Sequence, residues 1–239
     1  MNLGGIFWGL ALLPWTLSTL FHLPVLIVSL RSQWQSTLWL LAGSIFYFTF
    51  EIIFARPMRT YVFGHELTHA LASIAMGGKV HAFRVSKKSG SVKVSKSNFI
   101  VALAPYFVPL YAAIALVAYQ IAVRYRPFPN MHPAFQFMIG LTLAFHASLT
   151  FYAIRQRQPD LRQTGSFFSL VFILFMNAWV LAIISKILFW KSIRLETFFS
   201  LTWRTQWEIW GWALQHLWQG AIWFWNRAAS GGKISPSTS

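Results

Sequence analysis

The chain has 239 residues, 56% of them hydrophobic and 10% charged, with a mean hydropathy of +0.52. A soluble globular domain carries about 25% charged residues, so an ordinary water-soluble fold is excluded, and the lack of cysteine excludes a disulfide framework or a thiolate metal site. The net charge of +15 comes from Lys and Arg set mostly in short connectors between apolar runs, which suits anionic lipid headgroups and argues against nucleic acid as a partner.

Six apolar segments follow one another, at about 3–30, 36–54, 60–78, 99–123, 134–154 and 165–190. Each is near or above the ~20 residues that cross ~30 Å of hydrocarbon as a helix. In lipid a segment must satisfy its own backbone groups, so helices are expected. The expected fold is an all-α polytopic membrane protein of about six transmembrane or re-entrant helices. The first segment has no basic stretch before it and no small-residue cleavage site, so it reads as a retained membrane segment, kinked at Pro14 and Pro24. The second contains Glu51, either a hydrogen-bond partner for a metal-bound imidazole or a residue marking the membrane boundary; the boundary reading is preferred.

The third segment carries Gly64-His65-Glu66-Leu67-Thr68-His69, an H-E-x-x-H pattern. Residues four apart share one helix face, so both imidazoles can meet one metal ion. Glu66 sits where a carboxylate can take a proton from metal-bound water. Chance produces this pattern roughly 0.003 times in a chain of this composition, and two histidines and a glutamate inside an apolar helix mark a functional site by default. The polar stretch 79–98 follows, with Phe83 and Val85, then Val92 and Val94, alternating with polar residues around Lys87-Lys88-Ser89-Gly90. It predicts a small β-hairpin with a basic outer face.

A catalytic zinc has three protein ligands and one open position. Two residues further along the chain are candidates for the third ligand: His146, inside the fifth segment, and Asp160, the only aspartate, in Gln158-Pro159-Asp160-Leu161 between the fifth and sixth. From Lys191 the character changes. Trp203, Trp207 and Trp210 follow i, i+4, i+7 spacing, and Trp212, Trp218, Trp223 and Trp225 come after. This predicts a tryptophan-rich amphipathic helix at headgroup level over 191–229, or an imperfectly apolar seventh span, with 230–239 a disordered tail. The domain organisation expected is 1–54 as N-terminal transmembrane helices, 55–190 as the core carrying the site, and then this helix and tail. If all six segments cross, ten basic residues (Arg31, the six of the hairpin, Arg155, Arg157 and Arg162) lie on the hairpin side, against six opposite. That favours a cytoplasmic hairpin. Straight crossings, however, put Asp160 and His65 at different depths, so one segment must be re-entrant, bent or short.

The membrane-embedded His65-Glu66-Leu67-Thr68-His69, the hairpin after it, and Gln158-Pro159-Asp160-Leu161 about 95 residues on together resemble the site-2 protease family of intramembrane zinc metalloproteases, over roughly residues 55–180. The resemblance implies zinc held by His65, His69 and Asp160, with Glu66 as catalytic base in the hydrolysis of membrane-embedded substrates, in a multi-pass protein of the bacterial cytoplasmic membrane. Gln158 stands for the family's usual Asn and Leu161 for its frequent Gly. Ala104-Pro105 corresponds to its Gly-Pro element, and Asn98 and Asn177 are both candidates for its helper asparagine. The competing readings are a CaaX-protease or HtpX-type enzyme, with Glu196 or Glu208 as third ligand, and a non-catalytic membrane scaffold or a transporter with a metal site. With no soluble recognition domain in the chain, substrate choice is expected to rest on the hairpin, the tail or a regulatory membrane partner.

Overall fold

A computed structural model describes residues 3–86, 89–126, 129–156 and 158–229. The tail expected at 230–239, and Lys87 and Lys88 of the hairpin turn, lie outside the described residues. The fold is all-α with one two-stranded sheet. In chain order come α1 (Leu3–Ser29), a 3-10 turn, α2 (Trp34–Phe54), α3 (Met58–Ala75), β1 (Val80–Val85), β2 (Gly90–Val94), α4 (Phe99–Phe107), α5 (Leu110–Tyr125), α6 (Met131–Arg155), α7 (Pro159–Gln163), α8 (Ser166–Leu188) and α9 (Leu195–Ala229).

Helices α1, α2, α6 and α8 are long and apolar enough to cross a membrane. The pair α4 and α5, bent by 69° at a short break, makes a fifth span if counted as one. Segments 60–78 and 191–229, which became α3 and α9, fall short of a span. The break has a local cause. Pro109 has no N–H to carry a helix onward, and Val108 before it takes an extended conformation, as residues before proline do.

Two parallel pairings set the frame. Helix α2 lies along α6 in register, with Ser44 donating to the Gly140 carbonyl at 3.0 Å, Tyr47 edge-on to Phe145 and Ser148 donating to Glu51. The axes come close because Gly43 and Gly140 face backbone: a Cβ on either would lie 1.9 Å from a carbonyl oxygen of the other helix. Helix α1 runs likewise beside α8. Its Gly9 lies against Phe167 and Phe168, and its Leu26 clusters with Ala182 and Phe189.

This arrangement resolves the mismatch of depths. Because α2 ends where α6 ends, α3 starts at the end of the bundle that holds α7. Helix α4 starts there too, with Phe99 against Phe168 and Phe172. So α3 and its hairpin leave from and return to one end of the bundle. Arg56 and Arg59 thereby join the hairpin end, whereas Arg31, beyond α1, belongs to the opposite one. Glu51 accepts from Arg56 Nε at 2.7 Å and Arg56 also covers the Tyr152 ring. The pair clasps the α2–α3 corner, and among the described residues no imidazole pairs with Glu51.

Candidate metal centre

The centre is built from three pieces of chain. On α3, Tyr61, His65 and His69 recur every fourth residue and so share one face. The Nε2 atoms of His65 and His69 stand 3.2 Å apart. Asp160 comes from α7, its Oδ2 lying 3.6 Å from His65 Nε2 and 3.5 Å from His69 Nε2. These three side chains form a group able to hold a metal ion.

Asp160 reaches this depth through its neighbours. Pro159 starts α7, where a missing N–H costs nothing. Leu161 is buried in the cluster of Leu103, Ala104, Tyr106, Phe107, Ala153 and Ile173, and this anchor draws the short helix into the bundle. Ser169 donates to the Leu161 carbonyl at 3.1 Å, while Gly165, at a φ of 91°, lets the chain turn sharply into α8.

Each donor is braced from behind. His69 Nδ1 lies 2.8 Å from the Val101 carbonyl on α4. A carbonyl only accepts, so Nδ1 carries the proton, and in the neutral ring Nε2 then offers a lone pair to the centre. His65 Nδ1 lies 3.3 Å from the Tyr61 hydroxyl. The Tyr106 hydroxyl donates to Asp160 Oδ2 at 3.1 Å, and the Tyr106 ring stands edge-on to His65.

Glu66 stays outside the ligand group and faces the hairpin. Its Cγ packs so close to Gly90 that a Cβ there would lie 2.6 Å away, and the Val92 backbone offers the carboxylate a hydrogen bond. The predicted hairpin is present, β1 pairing antiparallel with β2 and Phe83 facing Val92. Phe83 also meets Phe63 of α3 edge-on.

The other residues singled out in the sequence lie elsewhere. His146 falls outside the group of His65, His69 and Asp160, and its Nε2 faces Asn177 Oδ1 at 3.3 Å. It does line, with Tyr61, His65, Thr68, Tyr111 and Thr150, a small cavity of about 30 Å³ beside the centre. Asn177 Nδ2 donates to the Tyr106 carbonyl at 2.8 Å, capping the end of α4. Asn98 begins that helix, its Oδ1 accepting from the Val101 N–H at 2.9 Å. Glu208 pairs with Arg204 on the exposed side of α9, and neither it nor Glu196 joins the ligand group. Tyr61 was legible as the residue one turn before His65. Tyr106, Gly90 and the Val101 carbonyl were not, because their roles depend on which helices meet. No family model, curated protein or solved structure matches the chain.

Proposed function

We propose that this protein is an intramembrane zinc metalloprotease of the site-2 protease type, with zinc held by His65, His69 and Asp160 and with Glu66 as general base. One observation carries the reading: two imidazole nitrogens and a carboxylate oxygen stand 3.2, 3.5 and 3.6 Å apart. Ligands at tetrahedral zinc, bound at about 2.0–2.2 Å, stand about 3.3–3.6 Å from one another. The set is nitrogen and oxygen, it numbers three, and it leaves a fourth position open, as catalytic zinc sites do.

When bound, zinc supplies Lewis acidity, bringing the pKa of water to about 7 and polarising a peptide carbonyl. The chain's own residues do the rest. Glu66 accepts a proton from the attacking water and returns it to the departing amine nitrogen. Val101, Tyr61 and Tyr106 hold the three donors in orientation, as outer partners of metal ligands do. A helical substrate exposes no peptide bond, so the cleaved segment must unwind. The hairpin has strand edges on which an extended segment can add, and β2 passes Glu66 at Gly90 and Val92. The substrate is thus a membrane-embedded protein segment. Arg56, Arg59 and the hairpin's basic residues, gathered at one end, direct that end to the cytoplasm and to anionic lipid. Helix α9, with Trp212, Trp218, Trp223 and Trp225 exposed, lies along the headgroup region.

Zinc content and cleavage, measured on purified protein in detergent, test the reading. Wild type should carry zinc and cut a transmembrane peptide with a helix-destabilised site, and Asp160→Ala should lose the metal. Full zinc occupancy in Asp160→Ala removes that residue from the ligand set. Zinc-loaded wild type without activity on any of a panel of membrane substrates removes the protease reading.

A further inference from the structure

We propose that Pro105 is a positioning residue for the metal centre, acting by what it lacks: with no N–H of its own, it leaves the Val101 carbonyl free for His69. The inference rests on the reading of His65, His69 and Asp160 as the ligands.

In a regular helix the N–H of residue 105 bonds the carbonyl of residue 101. Proline cannot make that bond, and its ring crowds the same carbonyl off the helix axis. Val101 is 2% exposed, so water does not serve the freed oxygen, and a buried carbonyl without a partner is rare because it is costly. In this fold the partner is the His69 imidazole, its Nδ1 2.8 Å away. One contact thus settles two needs: the carbonyl gains a donor, and His69 is held in the tautomer that aims Nε2 at the centre. Asn98, accepting from the Val101 N–H, holds the same residue from its other side.

Pro105 does not act by breaking the helix. Helix α4 continues through Phe107, and the 69° bend to α5 comes later, between Phe107 and Leu110. A proline tolerated within an unbroken turn, directly above the one carbonyl that faces a ligand histidine, is placed for that carbonyl.

The test compares zinc affinity, by chelator competition in detergent, for the full-length wild type, for Pro105→Ala and for a variant carrying at 105 the α-hydroxy acid analogue of alanine. Alanine restores the competing N–H, and zinc binding should weaken by about 10–100-fold, the range for loss of a ligand's outer partner. Its metal-free unfolding temperature should hold or rise, since alanine suits a helix better than proline; a general loss of structure would lower both. The hydroxy acid puts an ester oxygen where the N–H would be, so this variant should bind zinc nearly as wild type does. Wild-type affinity in Pro105→Ala overturns the proposal, as does an ester variant weakened as much as alanine. If wild type itself takes up no zinc, the metal-centre reading fails first and takes this one with it.

Discussion

At the junction of α3, α4 and α7, two imidazoles and a carboxylate turn their free atoms toward one point. Along the seam between α1 and α9, by contrast, two polar contacts join single groups across the helices. Ser18 donates to the Thr202 carbonyl at 2.8 Å, and His22 Nε2 faces the Thr205 hydroxyl at 3.1 Å. Both histidine sets are withdrawn from water, His22 being only 8% exposed. What separates them is where the ring nitrogens point. At the centre each imidazole has its Nδ1 side occupied from behind, His69 by the Val101 carbonyl and His65 by the Tyr61 hydroxyl, and its Nε2 turned toward the shared point. In the seam the ring is spent on one hydroxyl, and among the described residues no acid pairs with it. Convergence of open donors makes a binding site, and pairwise satisfaction makes glue between helices.

Substitutions can break this contrast, from the largest expected effect downward. Glu66→Gln should lower cleavage by about 10²–10⁴-fold, the span of general base catalysis, while zinc measured by metal analysis stays bound. Retained turnover would show that the base lies elsewhere. Gly90→Ala should cost up to about 10²-fold in kcat, since a methyl group there displaces Glu66 and misplacement of about 1 Å can have that effect. Zinc content should again be unchanged, which separates a displaced base from a damaged metal site.

Tyr106→Phe removes the hydroxyl behind Asp160 and should weaken zinc by about 10-fold or more, read by chelator competition. Loss of a hydrogen bond in the seam behaves differently. His22→Ala should leave zinc and cleavage intact and cost only about 0.6–1.7 kcal/mol of stability, as hydrogen bonds between membrane helices do. Loss of zinc in that variant would erase the distinction between the two regions. Gln206→Met should raise the unfolding temperature slightly. The residue is fully buried, and both of its amide atoms lack partners among the described residues. An apolar replacement therefore removes a desolvation cost without losing a bond.

Much of this molecule was legible in its amino acids. Apolar runs announce membrane helices because lipid leaves the backbone no other partner, and His65, Glu66 and His69 announce a metal site because a helix brings every fourth residue to one face. The alternation of Phe83, Val85, Val92 and Val94 marked the hairpin. Such features are local, set by spacing along one element. For the third donor the sequence favoured Asp160, with His146 as runner-up, but spacing along the chain could not bring either to the histidines. His146 was spent on Asn177 only when α6 met α8, and Asp160 was drawn inward only when Leu161 found its pocket.

The sequence by itself determined the class of protein and the chemistry carried by α3, since hydropathy and helical periodicity are properties of neighbouring residues. Only the tertiary structure decided that α3 stays at one end of the bundle, that Asp160 stands beside His65 and His69, and that Gly90 and the Val101 carbonyl attend Glu66 and His69. Those outcomes depend on parallel packing of α2 on α6 and α1 on α8, contacts between residues about a hundred or more positions apart, which the pattern within any one segment does not encode.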